Sequence, residues 1–344
     1  MTERRVAWAD VAKGVCILLV VLWHVIMKHY LQIDWRISSP VPGAWGKLSE
    51  LLLPLRMPLF FTISGLFAVN AVRRSWPDLL RTRVAKFGYL YALWLVIHTI
   101  VLAAVPDFGT ERAGNVLEFL AQLTITPPNL WYLYALALYF LIAKLVRGIP
   151  PALILAAAFG LSAIAAAGLL EVPGNRGGVY QNLVFFLGGL YGKALIERLA
   201  ANASWTRLAL VGVPYAVLLG VIEAYDAKTW FGIWPLASVV AVGLGVTAAG
   251  LITRSAVLTD GLANLGRRTL PIYVLHMPLL ALTHALLIGP LSAASPGVQG
   301  VVALFEPVVL TAYLVWLCLN LRRFLPDVLF DLPRRAVEPV RVGT

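Results

Sequence analysis

Ten apolar stretches of about 17–25 residues divide the chain, the length that crosses a bilayer core as a helix. They lie at 9–30, 48–71, 86–105, 129–146, 150–170, 179–197, 206–224, 232–252, 269–290 and 300–321. The segments between them are short and polar. The longest are 31–47, rich in Pro and Trp, and 106–128, within which residues 115–124 have the spacing of an amphipathic turn lying on a membrane. The pattern predicts an all-α, polytopic membrane protein with about ten transmembrane helices. Residues 1–321 form its membrane-embedded domain. A basic tail, 322–344, follows; Pro326, Pro333 and Pro339 interrupt it, and little structure is expected there. The first stretch is too long for a signal-peptide core and no small-residue cleavage pattern follows it, so it is expected to be retained.

Two polar residues stand out within the first apolar stretch. Lys13 stands near one end and His24 lies deep inside, eleven residues on. At about 100° per residue this spacing returns them to nearly the same helix face, roughly 16 Å apart along the axis. A titratable group inside a membrane helix is costly and marks a functional site by default. One face of one helix thus carries a cation near the membrane surface and an imidazole near mid-membrane.

Composition supports the membrane reading. The chain has 344 residues, 60% of them hydrophobic and only 13% charged, with mean hydropathy +0.82. A soluble domain is nearer half apolar and a quarter charged. The net charge of +11 does not imply nucleic acid, because it sits almost wholly in short segments between apolar stretches. With the N-terminus inside, twenty Lys and Arg fall in inside segments and five in outside ones. By the positive-inside rule both termini are cytoplasmic. Cys16 and Cys318 lie within apolar stretches and build neither a disulfide framework nor a zinc site.

Further polar residues mark the apolar stretches. Arg56 lies between Pro54 and Pro58; it either snorkels outward or faces a cavity and binds an anion, a carbonyl or a carboxylate. Arg73, Arg74, Arg81, Arg83 and Lys86 crowd one segment against a single acid, Asp78. This is either topological charge or a phosphate clamp. Glu306, Glu223, His98, His276 and His284 also reach membrane depth, where hydrogen-bonded packing is the plain reading for each. No histidine pairs with Cys, Asp or Glu at metal-ligand spacing, so no metal is expected.

Taken in order, these residues resemble the acyltransferase 3 family of integral-membrane O-acyltransferases. The resemblance rests on Asp10, Lys13, Gly14 and His24 in the first stretch, and on Phe60, Phe61, Ser64 and Gly65 in the second. It continues through Arg81 and Arg83, the Leu-Trp-Tyr-Leu-Tyr run at 130–134 with Trp131, and Tyr273 with His276 after Asn264-Leu-Gly266. Arg56-Met57-Pro58 is similar to a branch that includes fucose 4-O-acetylase-like and inner-membrane proteins. Two features depart from the family: Lys13 stands where Arg is commoner, and the Asp that often precedes the Phe-Phe signature is absent.

The resemblance implies a bacterial inner-membrane enzyme that moves an acyl group, acetyl by default, from cytoplasmic acyl-CoA to a hydroxyl. The acceptor is an extracytoplasmic or cell-surface molecule such as a glycan. The implied partners are acyl-CoA, that acceptor and the lipid bilayer, with no nucleic acid. In this scheme Lys13, Arg81 and Arg83 hold the phosphates of the donor. His24 is the general base, or else carries an acyl-enzyme; Arg56, or a helix terminus freed by Pro54 and Pro58, stabilises the oxyanion; and Glu306 orients His24, with Asp10, Ser64, Trp131, Tyr273 and His276 as further site residues. The alternative is a transporter or exporter of a small polar solute or glycan intermediate. Two related halves with matching broken helices would favour it, and none are visible.

Overall fold

The computed structural model describes residues 7–170 and 172–333. Every regular element among them is helical. In chain order they are α1 (Ala7–Lys28), α2 (Val41–Leu51), α3 (Leu53–Arg73), α4 (Trp76–Leu79), α5 (Ala85–Ala103), α6 (Val116–Thr124), α7 (Trp131–Leu145) and α8 (Pro151–Ala166). Then follow α9 (Arg176–Tyr191), α10 (Lys193–Ala201), α11 (Trp205–Ala224), α12 (Ile233–Ile252), α13 (Ala256–Arg267), α14 (Thr269–Ala293) and α15 (Pro296–Leu321). Each of the ten expected spans falls on a helix. Eight are long and apolar enough to cross a membrane. The other two coincide with α8 and α9, of 16 residues each, or about 24 Å of rise against a core of about 30 Å. The stretch expected at 179–197 breaks at Gly192, after which α10 runs separately. Three helices lie wholly outside the expected spans: α4, α6, on the expected amphipathic turn, and α13. Helix α2 overlaps only the start of the second span and ends where Pro54 opens α3.

Helix α1 is the centre of the bundle, packed against α3, α12, α13, α14 and α15. Its crossing with α13 is backbone to backbone. A Cβ on Gly266 would sit 1.8 Å from the Asp10 carbonyl oxygen, and one on Gly14 would sit 2.1 Å from that of Leu262. Helices α3 and α9 approach as closely: a Cβ on Gly65 would meet the Phe186 carbonyl oxygen at 1.8 Å, and one on Gly189 that of Thr62 at 1.9 Å. Small residues permit such contacts between helices in lipid, where dispersion and weak polar contacts hold a bundle together. Large apolar side chains cover the outside instead, among them Leu210, Val213 and Val217 of α11 and Phe305, Val308 and Val309 of α15. An outer surface of this kind is stable only against hydrocarbon.

The residues after Leu321 fold back, where the sequence predicts little structure. Trp94 Nε1 donates to the Leu329 carbonyl at 2.6 Å, Phe330 is buried against Trp94, and Asp331 pairs with Lys86 at 2.8 Å. The remainder of the expected basic tail, 334–344, lies outside the described residues.

Candidate active site

The polar residues of α1 are fixed one by one. Asp10, buried in the first turn, pairs with Lys13 at 2.7 Å. The Lys13 ammonium stands 5.1 Å from the Phe67 ring centre. The other expected cations divide. Residues 80–84 form a π-helical stretch leading into α5, and residues two apart on a helix do not face the same way. Arg83 turns inward over the Phe140 ring at 5.6 Å, whereas Arg81 is exposed. The cation beside Arg83 is Lys86, one turn on.

Lys13, Arg83 and Lys86 stand at one end of a cleft of about 270 Å³. Its walls are aromatic and aliphatic, with Phe60, Phe67, Phe87 and Phe140 among them, and Ser64, Tyr132 and Tyr273 supply its polar groups. Ser64 Oγ donates to the Phe60 carbonyl at 2.9 Å. Its single hydrogen is then used, so in the 2.8 Å contact with Tyr132 the phenol is the donor. Tyr273 donates to the Asn129 carbonyl at 2.9 Å and accepts from the Tyr132 amide at 3.2 Å. The cleft is thus cationic at one end and hydrogen-bonding along its wall.

Tyr273 leads to the histidines: its ring centre is 6.1 Å from that of His276, one turn along α14. His276 Nε2 lies 3.2 Å from His24 Nδ1. His24 Nδ1 is also 2.9 Å from the Val20 carbonyl, and His276 Nδ1 is 3.0 Å from that of Ile272. A carbonyl only accepts, so the network assigns a hydrogen to both Nδ1 atoms. The one Nδ1 hydrogen of His24 is then shared between the Val20 carbonyl and His276 Nε2, and the lone pair of His24 remains on Nε2. The imidazole is buried rather than turned to lipid, and it lies beyond the cleft rather than on its wall.

Glu306 does not orient His24. Its carboxylate is 3.3 Å from His29 Nε2, and His29 Nδ1 contacts His284 Nδ1 at 3.0 Å. This second cluster begins at His29, just past the end of α1, and the partner of His24 is His276. His98 bonds the Val274 carbonyl at 2.8 Å, a packing role.

A second cavity, of about 320 Å³, opens at the other end of the bundle between α3, α7, α8, α9 and α12. Arg56 and Trp131 line this cavity and not the first. Arg56 is buried with its guanidinium 4.6 Å from the Trp23 ring centre, and Trp23 meets the His24 ring edge-on at 4.6 Å. One indole therefore separates Arg56 from His24. Phe60, Phe61, Trp131 and Tyr132 form an aromatic layer between the two cavities.

A family model described as "Acyltransferase domain" matches residues 6–320. The chain belongs to the acyltransferase 3 family. It is 28% identical over 330 residues to the "Inner membrane protein YcfT" of Escherichia coli (strain K12), covering 89% of each chain. It is 32% identical over 139 residues to the "Nodulation protein NolL" of Sinorhizobium fredii (strain NBRC 101917 / NGR234), covering 40% of this chain and 35% of that protein. No solved structure matches. The chain is therefore a multi-pass membrane acyltransferase.

The site gathers Lys13, Ser64, Arg83 and Tyr273 in one cleft and His24 with His276 behind it. Tyr132, Lys86 and the second cavity's Asn182, Ser238 and Lys228 are not singled out by the sequence. Tyr132 stands within the Leu-Trp-Tyr-Leu-Tyr run and Lys86 within the cationic segment, but neither pattern says which member turns inward. For the other three the sequence carries no signal.

Proposed function

We propose that the protein is an O-acyltransferase of the bacterial inner membrane. It takes an acyl group, by default acetyl, from acyl-CoA on the cytoplasmic side and passes it to a hydroxyl of an extracytoplasmic or cell-surface glycan. The observation that carries this reading is the first cleft, with three cations at one end and a narrow aromatic passage leading to hydroxyl groups. Phosphates suit Lys13, Arg83 and Lys86, and the slender pantetheine arm suits the passage. The excess of Lys and Arg on the same side favours a cytoplasmic opening, and the name of the Escherichia coli relative supports the location.

His24 Nε2 takes the proton of the acceptor hydroxyl as its oxygen attacks the thioester carbonyl carbon. The C–S bond breaks, sulfur leaves with the electron pair, and the proton held by His24 passes to the thiolate. The products are the ester and free CoA. As His24 becomes charged, its Nδ1–H bond to His276 Nε2 strengthens, which favours the transition state over the ground state. The phenols of Tyr132 and Tyr273 each donate their one hydrogen within the protein, to Ser64 Oγ and to the Asn129 carbonyl, so either serves an oxyanion only by turning from that partner.

The test uses purified protein in lipid nanodiscs with acetyl-CoA and a hydroxylated acceptor, following ester by mass spectrometry and free CoA by thiol release. His24→Ala should lower kcat by about 10²–10⁴-fold, the usual worth of a general base, while the protein still inserts. Full transfer by that variant would remove the base from His24. Release of CoA that never depends on an acceptor would remove the transferase reading.

A further inference from the structure

The second cavity has a chemistry of its own, distinct from that of the first cleft. Its wall includes Arg56, Trp131, Asn182, Lys228, Trp234 and Ser238, and among the described residues no aspartate or glutamate. Arg56 has no hydrogen bond or carboxylate partner among the described residues; its guanidinium rests on Trp23. Lys228 is exposed, with its ammonium 5.3 Å from the Trp234 ring centre. Two cations thus face a space with no carboxylate on its wall among the described residues.

Two further groups on this wall are unsatisfied. Ser238 Oγ and Asn182 Oδ1 are buried without a hydrogen-bond partner, at 1% and 6% residue exposure. Asn182 is already anchored, since its Nδ2 donates to the Gly178 carbonyl at 2.8 Å. Buried polar atoms are nearly always paired in folded proteins, so an orphan on a cavity wall points to a ligand. An amide oxygen and a hydroxyl together suit a ligand rich in hydroxyls. Trp131 and Trp234 add flat apolar faces of the kind that stack on a sugar ring. Trp131 has room here because the nearest point of α9 is Gly178, where a Cβ would stand 3.1 Å from the indole.

We propose that this cavity is the acceptor site, and that Arg56 and Lys228 select a hydroxylated acceptor carrying an anionic group, a carboxylate or a phosphate. The proposal rests on the reading of the chain as an acyltransferase with its donor in the first cleft. It adds the class of the acceptor. The two cavities lie at opposite ends of the bundle. Arg56 rests on the Trp23 ring, which meets His24 edge-on, so an anion held by Arg56 lies one indole away from the base. A fork of donors suits either oxyanion.

Direct binding tests this apart from catalysis. The full protein in nanodiscs is titrated by calorimetry with glucuronate, glucose 1-phosphate and methyl glucoside. The anionic probes should bind at least about tenfold tighter than the neutral one at low salt, and the preference should weaken as salt rises. The tighter of the two identifies the anion as carboxylate or phosphate. Lys228→Gln, on an exposed side chain that folding does not need, should bring the preference below about threefold, and Lys228→Arg should restore it. Arg56→Gln should abolish it if that variant folds. Equal binding of all three probes, no binding of any, or a preference that survives Lys228→Gln overturns the proposal. An intact anion preference in a protein that never releases CoA would sink the donor reading alone.

Discussion

His24 offers a free lone pair because two backbone carbonyls and a second histidine use the rest of the pair's capacity. The bond from His24 Nδ1 to His276 Nε2 gives a sharp expectation. His276→Ala should lower kcat by about tenfold or more, the scale of one charge-assisted hydrogen bond, and leave KM for acyl-CoA unchanged. His276→Gln keeps an acceptor toward His24 and should recover part of the rate. Glu306→Gln should leave kcat within about threefold, since the carboxylate touches His29 and not His24; a larger loss would link the two clusters. At the other end of α1, Lys13→Ala should raise KM for acyl-CoA about tenfold with little change in kcat, as lost uniform binding does. Spacing on one helix makes Lys13 and His24 legible, because helical periodicity is a property of the chain alone. Which acid meets which histidine depends on the register between helices, and that is why Glu306 finds His29. Arg81 and Arg83 are separable only once the π-helical stretch sets their directions.

At the scale of elements, the signature glycines pack helices rather than touch substrate. Gly65 and Gly266 stand where a neighbouring carbonyl occupies the place of a side chain. Gly65→Ala should therefore destabilise the protein by about 1–3 kcal/mol, the usual range for overpacking. The measurement is the melting temperature in detergent. The loss should spread to the cleft, because Ser64 is adjacent and would move with α3. A melting temperature unchanged by the substitution would mean that α3 and α9 are farther apart than 1.8 Å allows. The sequence shows that the bundle needs such close crossings but not where they fall. Hydropathy identifies the long helices well, since transfer into lipid is a local property. It overstates α8, which is followed by the apolar turn 167–170, and α9, which stops at Gly192 before the separate helix α10, and it misses α13. That helix is short, and its small face, Ala263 and Gly266, is buried on α1 through glycine contacts that no hydrophobicity pattern records.

Across the whole molecule, the two cavities and the charge asymmetry make one topological claim. The mouth formed by Lys13, Arg83 and Lys86 lies on the side where twenty Lys and Arg collect by the sequence count. Arg56 and Lys228 line the cavity at the opposite end. On the proposed function and the positive-inside rule, acyl donor and acceptor approach from opposite faces and meet near His24, with neither substrate required to cross the bilayer. The chain is well suited to a direct test, because its two cysteines, Cys16 and Cys318, are both buried and give little background to a membrane-impermeant thiol reagent. Arg81→Cys places a thiol on the exposed face of the π-helical stretch, and Lys228→Cys places one at the second cavity. The first should label only in inside-out vesicles and the second only in right-side-out ones. Prior incubation with acyl-CoA should leave labelling at Arg81→Cys unchanged, since Arg81 faces away from the cleft, whereas Lys86→Cys should be protected. Labelling of both single variants from the same side would collapse the two-sided scheme, because no path through a bundle of this length could then serve donor and acceptor from opposite faces.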